Sequence, residues 1–232
     1  MKQFIHHDFP ILERIDTESI RYYKTPEGKH YPSVTAVTNL LNQKEIDKWK
    51  TRVGAATANE ISSRSIRRGV AFHSLCEAYL KGEKVQPGMM EQNMFNSIIP
   101  YLNKLNNIHC LESQMYSDKL RVAGTVDCIA EYEGKLVVID FKTASKPKTK
   151  NMISNYFMQA TAYGIMFTER TGIPIHNIMI MMAEAETDTT IIFIDSMHNW
   201  VDQFMQLRLR FDHEASGGFG VFLGVPDTGV SG

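Results

Sequence analysis

The hydrophobic pattern divides the chain into an aromatic hairpin, a helical stretch, a strand-rich middle and an alternation of helix and strand. Residues 19–33, SIRYYKTPEGKHYPS, place a Pro-Glu-Gly turn between two short aromatic segments, which predicts a hairpin, with Ser33 as N-cap of a short helix over 34–41. Residues 45–68 favour helix, with Trp49, Val53, Ala56 and Ile61 among the apolar positions. A second helical stretch over 71–80, AFHSLCEAYL, stops at Gly82, and Gly69 marks the expected join between the two. A third helix is predicted over 90–105, where Pro100 should kink or end it.

The period then changes. IHCLESQMYS, RVAGTVDCIAEY and KLVVIDFKT are apolar runs separated by the short polar turns Ser-Asp-Lys and Glu-Gly, which predicts an antiparallel meander. After the lysine-rich link SKPKTK, Tyr156, Ala160, Tyr163 and Phe167 recur at helical spacing over 154–170. Two further strands, IHNIMIMMAE and TTIIFID, precede a last helix over 198–213. Residues 216–232 are glycine-rich and aperiodic and read as a loose tail.

The totals add limits. A length of 232 residues with 43% hydrophobic content fits one α/β domain over residues 1–215, with hairpin and helices over 1–106 and the sheet and helix core over 107–215. The net charge of -1 supplies no global field for nucleic acid, so any affinity for DNA rests on local patches. Three cysteines, Cys76, Cys110 and Cys128, lack C-x-x-C spacing and imply neither a disulfide framework nor an iron–sulfur site. No apolar stretch is long enough for a signal peptide or a membrane span, so a soluble protein of a reducing, intracellular compartment is expected.

The chemistry concentrates in the meander. Side chains of a strand alternate, so Asp140 and Lys142 project to one side while Phe141 goes to the other. Counting outward from a turn at Glu133 and Gly134 sets Asp127 opposite Asp140. Two carboxylates about 4 Å apart repel by roughly 1 kcal/mol in water and about 4 kcal/mol at an effective dielectric of 20. A divalent cation offsets that repulsion; oxygen donors suit Mg²⁺ or Mn²⁺, and Lys142 would orient a water or offset developing charge. An Asp-x-Lys at a strand end is also the pattern of a surface ion pair. Upstream, His73 and Glu77 stand four apart on one helical face after Gly69, and Gln159 and Tyr163 repeat that spacing after the lysine strand; each pair is also compatible with ordinary helix packing.

Taken together, Gly69-x-x-x-His73-x-x-x-Glu77, Gly124-Thr-Val-Asp127, Asp140-Phe-Lys142 and Gln159-x-x-x-Tyr163 stand in the order of the RecB-type branch of the PD-(D/E)XK nucleases, which this chain resembles from about residue 31 to 194. The small size, the PSVT opening and the segment from Trp49 look most like the mitochondrial genome maintenance exonuclease subgroup with its phage and bacterial relatives. The resemblance implies a restriction-endonuclease-like core: an α/β (α+β) fold in which a central mixed sheet with an antiparallel meander is flanked by helices. It further implies that Asp127, Asp140, His73 and the backbone carbonyl of Phe141 hold Mg²⁺ or Mn²⁺, and that Lys142 is catalytic. Glu77, Gln159 and Tyr163 match motif positions. Glu112, on the preceding strand, is either a further member of the site or an exposed ion-pair residue. The iron–sulfur cysteines of some relatives are absent.

Arg64, Arg67 and Arg68 before His73, and Lys146, Lys148 and Lys150 after Lys142, are each either a phosphate-binding rim or a solvated face. Tyr79, Tyr156, Phe157 and Tyr163 are core residues by spacing and stacking platforms by chemistry. The function implied is a metal-dependent DNA exonuclease preferring single strands or frayed ends. An endonuclease or flap-processing nuclease of the same superfamily, and a catalytically silent DNA-end-binding protein, are the alternatives. A DNA partner is implied, and no membrane.

Overall fold

A computed structural model describes residues 2–17 and 20–215, so the expected tail over 216–232 lies outside the described residues. The chain begins with an antiparallel three-stranded sheet, β1 (Glu13–Asp16), β2 (Arg21–Lys24) and β3 (His30–Pro32). The hairpin of β2 and β3 follows the Pro-Glu-Gly turn, and β1 is an addition that its polar sequence ERID did not announce. Ser33 then caps α1 (Val34–Asn39), its hydroxyl accepting from the Ala36 amide at 3.0 Å.

The following helices divide elsewhere than at Gly69. α2 (Gln43–Val53) ends at Gly54, and α3 runs unbroken from Ala55 to Lys81 with Gly69 inside it. Gly54 has φ 84°, a conformation costly for residues with a Cβ, so the chain breaks there. Gly82, at φ 76°, ends α3 as its left-handed cap. α4 (Gln92–Leu102) carries Pro100 in its last turn and stops two residues beyond it.

The second sheet is the body of the molecule. β4 (Leu105–Ser117), β5 (Val122–Tyr132), β6 (Lys135–Ala144), β7 (Asn177–Glu184) and β8 (Thr189–Ser196) lie in that order. β4, β5 and β6 form the antiparallel meander, β6 and β7 are parallel, and β7 and β8 are antiparallel. The parallel step is the crossover made by α5 (Ser154–Thr171). α6 (Val201–Ala215) closes the described chain.

Helices cover both faces. Val138, Ile178 and Ile180 pack with Phe157, Ala160 and Phe167 of α5 on one side, while Phe141, Met179 and Met181 pack with Phe72 and Cys76 of α3 and Phe95 of α4 on the other. α5 is buried on nearly every face because α1 and α6 lie against it, so the single apolar stripe expected of it is incomplete. Phe141 is 1% exposed, and its removal from such a core costs about 3–5 kcal/mol. That anchor fixes the face on which Asp140 and Lys142 project. Among the described residues no helix is long and apolar enough to cross a membrane.

Candidate active site

The meander register runs as the turn dictates. Tyr132 pairs with Lys135 and Cys128 with Ile139, the last pair of the ladder, which ends one residue short of Asp127 and Asp140. At that point the ladder gives way to a side chain: the Phe141 amide donates to Asp127 Oδ2 at 2.7 Å. Asp127 therefore stands in for a strand carbonyl, and its position is set by the backbone that carries Asp140 and Lys142. Both carboxylates are almost wholly buried, at 7% and 2% exposure.

Lys142 Nζ lies 2.7 Å from each oxygen of Asp140 and donates to Oδ1. Asp140 Oδ2 is buried without a hydrogen bond of good geometry despite that neighbour. Burial pushes the Asp140 carboxyl up to about 6, Lys142 opposes the rise, and the Asp127 charge adds to it. Burial also works against the Asp127 carboxylate, but His73, Lys142 and the Phe141 amide outweigh it and hold Asp127 below the usual range. Lys142, which burial alone would lower, is raised by the charges of Asp140 and Asp127.

α3 brings His73 to the same place. Its Nδ1 lies 3.5 Å from Asp127 Oδ1 and 3.8 Å from Glu112 Oε1, and its ring meets Phe141 edge-on at 6.1 Å. Burial would lower the imidazole, but Asp127 and Glu112 reverse this and push it up to about 10. Glu112 is thus a member of the cluster rather than a lone surface acid. Its backbone has φ 46°, and such a conformation costs a non-glycine residue of order 1–3 kcal/mol, a form of strain that gathers at functional sites. Leu111 and Ser113 on either side keep their pairing to β5, so the irregularity is confined to this residue.

His73, Glu112 and Asp127 present donor atoms within 4.8 Å of one another. The donors suit a small divalent cation: carboxylate oxygens outnumber the single imidazole, and the orphaned Asp140 Oδ2 supplies an acceptor beside them. A cleft of about 430 Å³ opens onto this cluster, lined by Gly69, Val70, His73, Ser74, Glu77 and Glu112. Glu77 lies at its rim and pairs with Lys81 at 2.6 Å. Beyond Glu112 a second cleft of about 600 Å³ is walled by His7, Phe9, Pro10 and Ile11. No periodicity marked that N-terminal segment, whose chain is strapped to β4 by backbone bonds from the Ile5 amide to the Ile108 carbonyl and from the Ile108 amide to the Gln3 carbonyl.

The remaining motif residues lie beneath. Gln159 and Tyr163 are buried in α5, hydrogen-bonded to each other, and Tyr163 packs onto Gly124. The basic clusters separate on inspection. Arg64 pairs with Glu60 on its own helix, Arg68 donates to Ser145 just after β6, and Lys150 pairs with Asp195 at 2.9 Å. Arg67 and Lys146 are exposed and Lys148 half-buried. Tyr156, which spacing marked as a core position of α5, has its ring centroid 5.0 Å from Lys142 Nζ.

The family model of the PD-(D/E)XK nuclease superfamily matches residues 75–190, half of the chain. The chain is 32% identical over 148 residues to mitochondrial genome maintenance exonuclease 1 of Mus musculus, covering 56% of this chain and 43% of that protein. To the Homo sapiens protein of the same name it is 31% identical over 129 residues, covering 50% and 38%. The match therefore spans less than half the length of these relatives. A solved Eubacterium rectale structure superposes at a TM-score of 0.44 with 12% identity, over 68% of this chain and 72% of that one, so the relationship is carried by sequence.

Proposed function

Because the chain belongs to the PD-(D/E)XK nuclease superfamily, we propose that it is a metal-dependent DNA exonuclease that hydrolyses phosphodiester bonds and prefers single strands or frayed ends. The observation that carries this reading is the clustering of Asp127, Asp140, Lys142, His73 and Glu112, drawn from four separate elements, beside a cleft that His73 and Glu112 line. A protein that only bound DNA would have no use for two buried carboxylates, one of which raises the other's proton affinity. The name of the relatives, mitochondrial genome maintenance exonuclease 1, supports the exonuclease reading and a part in genome maintenance.

In this reading Asp127, Asp140, His73 and the Phe141 carbonyl would hold Mg²⁺ or Mn²⁺, with Glu112 in the same cluster. A divalent ion there supplies Lewis acidity and neutralises charge that develops on the phosphodiester. The protein's own groups do the rest. The Phe141 amide fixes one Asp127 oxygen and leaves the other facing His73. Lys142 keeps its proton at Nζ because two carboxylates face it, and so presents a fixed positive charge to the attacked phosphate and a donor to the attacking water. Imidazole suits Mn²⁺ better than Mg²⁺, which favours higher activity with Mn²⁺. In the same reading Arg64, Arg67, Arg68, Lys146 and Lys148 serve as phosphate contacts, and Lys150, paired with Asp195, is left out of that set.

The test is digestion of end-labelled linear and circular single-stranded DNA with Mn²⁺, using wild type beside Lys142→Ala. Loss of the linear strand alone, abolished by the substitution, is expected, and the label gives the polarity. Cleavage of the circle would replace the exonuclease by an endonuclease, and survival of both substrates would contradict hydrolysis.

A further inference from the structure

Lys142 has two neighbours of opposite kind. Its Nζ lies 2.7 Å from the Asp140 carboxylate and 5.0 Å from the centroid of the Tyr156 ring. Tyr156 stands in the first turn of α5, half-buried against the main core, and belongs to none of the four sequence motifs. We propose that Tyr156 is a positioning residue for Lys142, holding the ammonium over its ring when Asp140 gives its oxygens to a cation; the inference rests on the metal-dependent reading above.

The reasoning is one of competition for a carboxylate. An Asp140 carboxylate that faces a divalent ion attracts a neighbouring ammonium far less, because the ion's charge opposes the ammonium at close range. Lys142 would then swing on a flexible four-carbon stem, at the moment its charge must stay aimed at the phosphate. An aromatic face within about 6 Å of an ammonium attracts it through the ring quadrupole, and such a ring offers no lone pair that a divalent ion would capture. The Tyr156 ring therefore remains a partner in the state in which Asp140 ceases to be one. Its place on α5 makes the arrangement rigid, since Phe157 and Ala160 of the same helix are fully buried.

The experiment compares wild type with Tyr156→Phe and Tyr156→Leu. In chelator-treated protein labelled with ¹³C at lysine, the Cε methylene protons of Lys142, assigned by their loss in Lys142→Met, should be shifted upfield by the ring. The shift should persist in Tyr156→Phe and vanish in Tyr156→Leu. With Mn²⁺ and linear DNA, Tyr156→Phe should keep kcat within about twofold, while Tyr156→Leu should lower kcat roughly tenfold at unchanged KM. Should Tyr156→Leu fail to fold, Tyr156→Met takes its place. An identical lysine spectrum in all three proteins, equal loss of kcat in Tyr156→Phe, or a rise in KM alone would each overturn the proposal, the last because it would make the ring a DNA contact. If wild type cleaves nothing, the nuclease reading falls and the lysine spectrum alone decides whether the ring holds the ammonium.

Discussion

A Cβ built on Gly124 would lie 2.9 Å from the hydroxyl of Tyr163 and 3.0 Å from its ring. The glycine three residues before Asp127 and the tyrosine four residues after Gln159 are therefore one packing unit, joining the strand that carries an acid of the site to the helix that buries it. Gly124→Ala should displace the Tyr163 ring and destabilise the protein by about 1–3 kcal/mol, read as a lowered Tm. Combined with Tyr163→Leu, its cost should fall by at least about 0.5 kcal/mol below additivity. Simple additivity would mean that the two residues do not constrain each other.

Asp127 has two separable jobs, accepting from the Phe141 amide and facing His73. Asp127→Asn keeps an acceptor for the amide but loses the charge that favours protonated His73, so its Tm without metal should fall below that of wild type near neutral pH, and the Mn²⁺-induced rise in Tm should disappear. Asp127→Ala leaves the Phe141 N–H unpaired and should cost a further 1–3 kcal/mol or about that. Equal melting of the two variants would show that the amide contact carries no stability.

The pH response follows from His73. Its imidazole stands at about 10 in the folded protein against the ordinary 6.5, so folding favours the protonated ring. That contribution is complete below pH 6.5 and is lost as pH rises toward 10. Asp140, raised from 3.8 to about 6, acts in the same sense at lower pH, its contribution fading between those values. In chelator, wild type should lose Tm steadily from pH 6.5 to 9.5, and His73→Gln should lose distinctly less. Parallel melting curves would remove His73 from the carboxylate cluster.

The lysines after β6 should divide by their partners. Lys146→Ala and Lys148→Ala should each weaken DNA binding and reduce the dependence of log K on log salt by about one ion. Lys150→Ala, which removes a half-exposed pair with Asp195, should leave DNA binding unchanged and cost less than about 1 kcal/mol of stability. Equal loss of DNA binding in all three would restore Lys150 to the phosphate rim.

Much of the site's framework was legible because its determinants are local. The Glu133-Gly134 turn fixes the register as far as Cys128 and Ile139, the neighbours of Asp127 and Asp140, and strand alternation places Asp140 and Lys142 on one side. What the sequence hid is three-dimensional. Gly69 and Gly54 are equal as letters, and only the positive φ at Gly54 tells which one breaks the helix. Glu112 fits ordinary strand alternation, and its left-handed backbone beside His73 has no signature in the residues around it. Lys150 lies in a basic run, but its carboxylate partner is Asp195, on a strand at the far edge of the sheet order. β1 reads as a polar segment because its burial pattern is almost wholly exposed.

The most direct test of the metal centre is titration with Mn²⁺, followed by the loss of its free-ion electron paramagnetic resonance signal, in wild type, Asp140→Asn and Lys81→Ala. Wild type and Lys81→Ala should bind Mn²⁺ alike, since the ion pair of Lys81 is with Glu77 at the rim of the cleft, and Asp140→Asn should bind at least about tenfold more weakly. Equal affinity in wild type and Asp140→Asn would contradict the assignment of these buried carboxylates to a metal-dependent site.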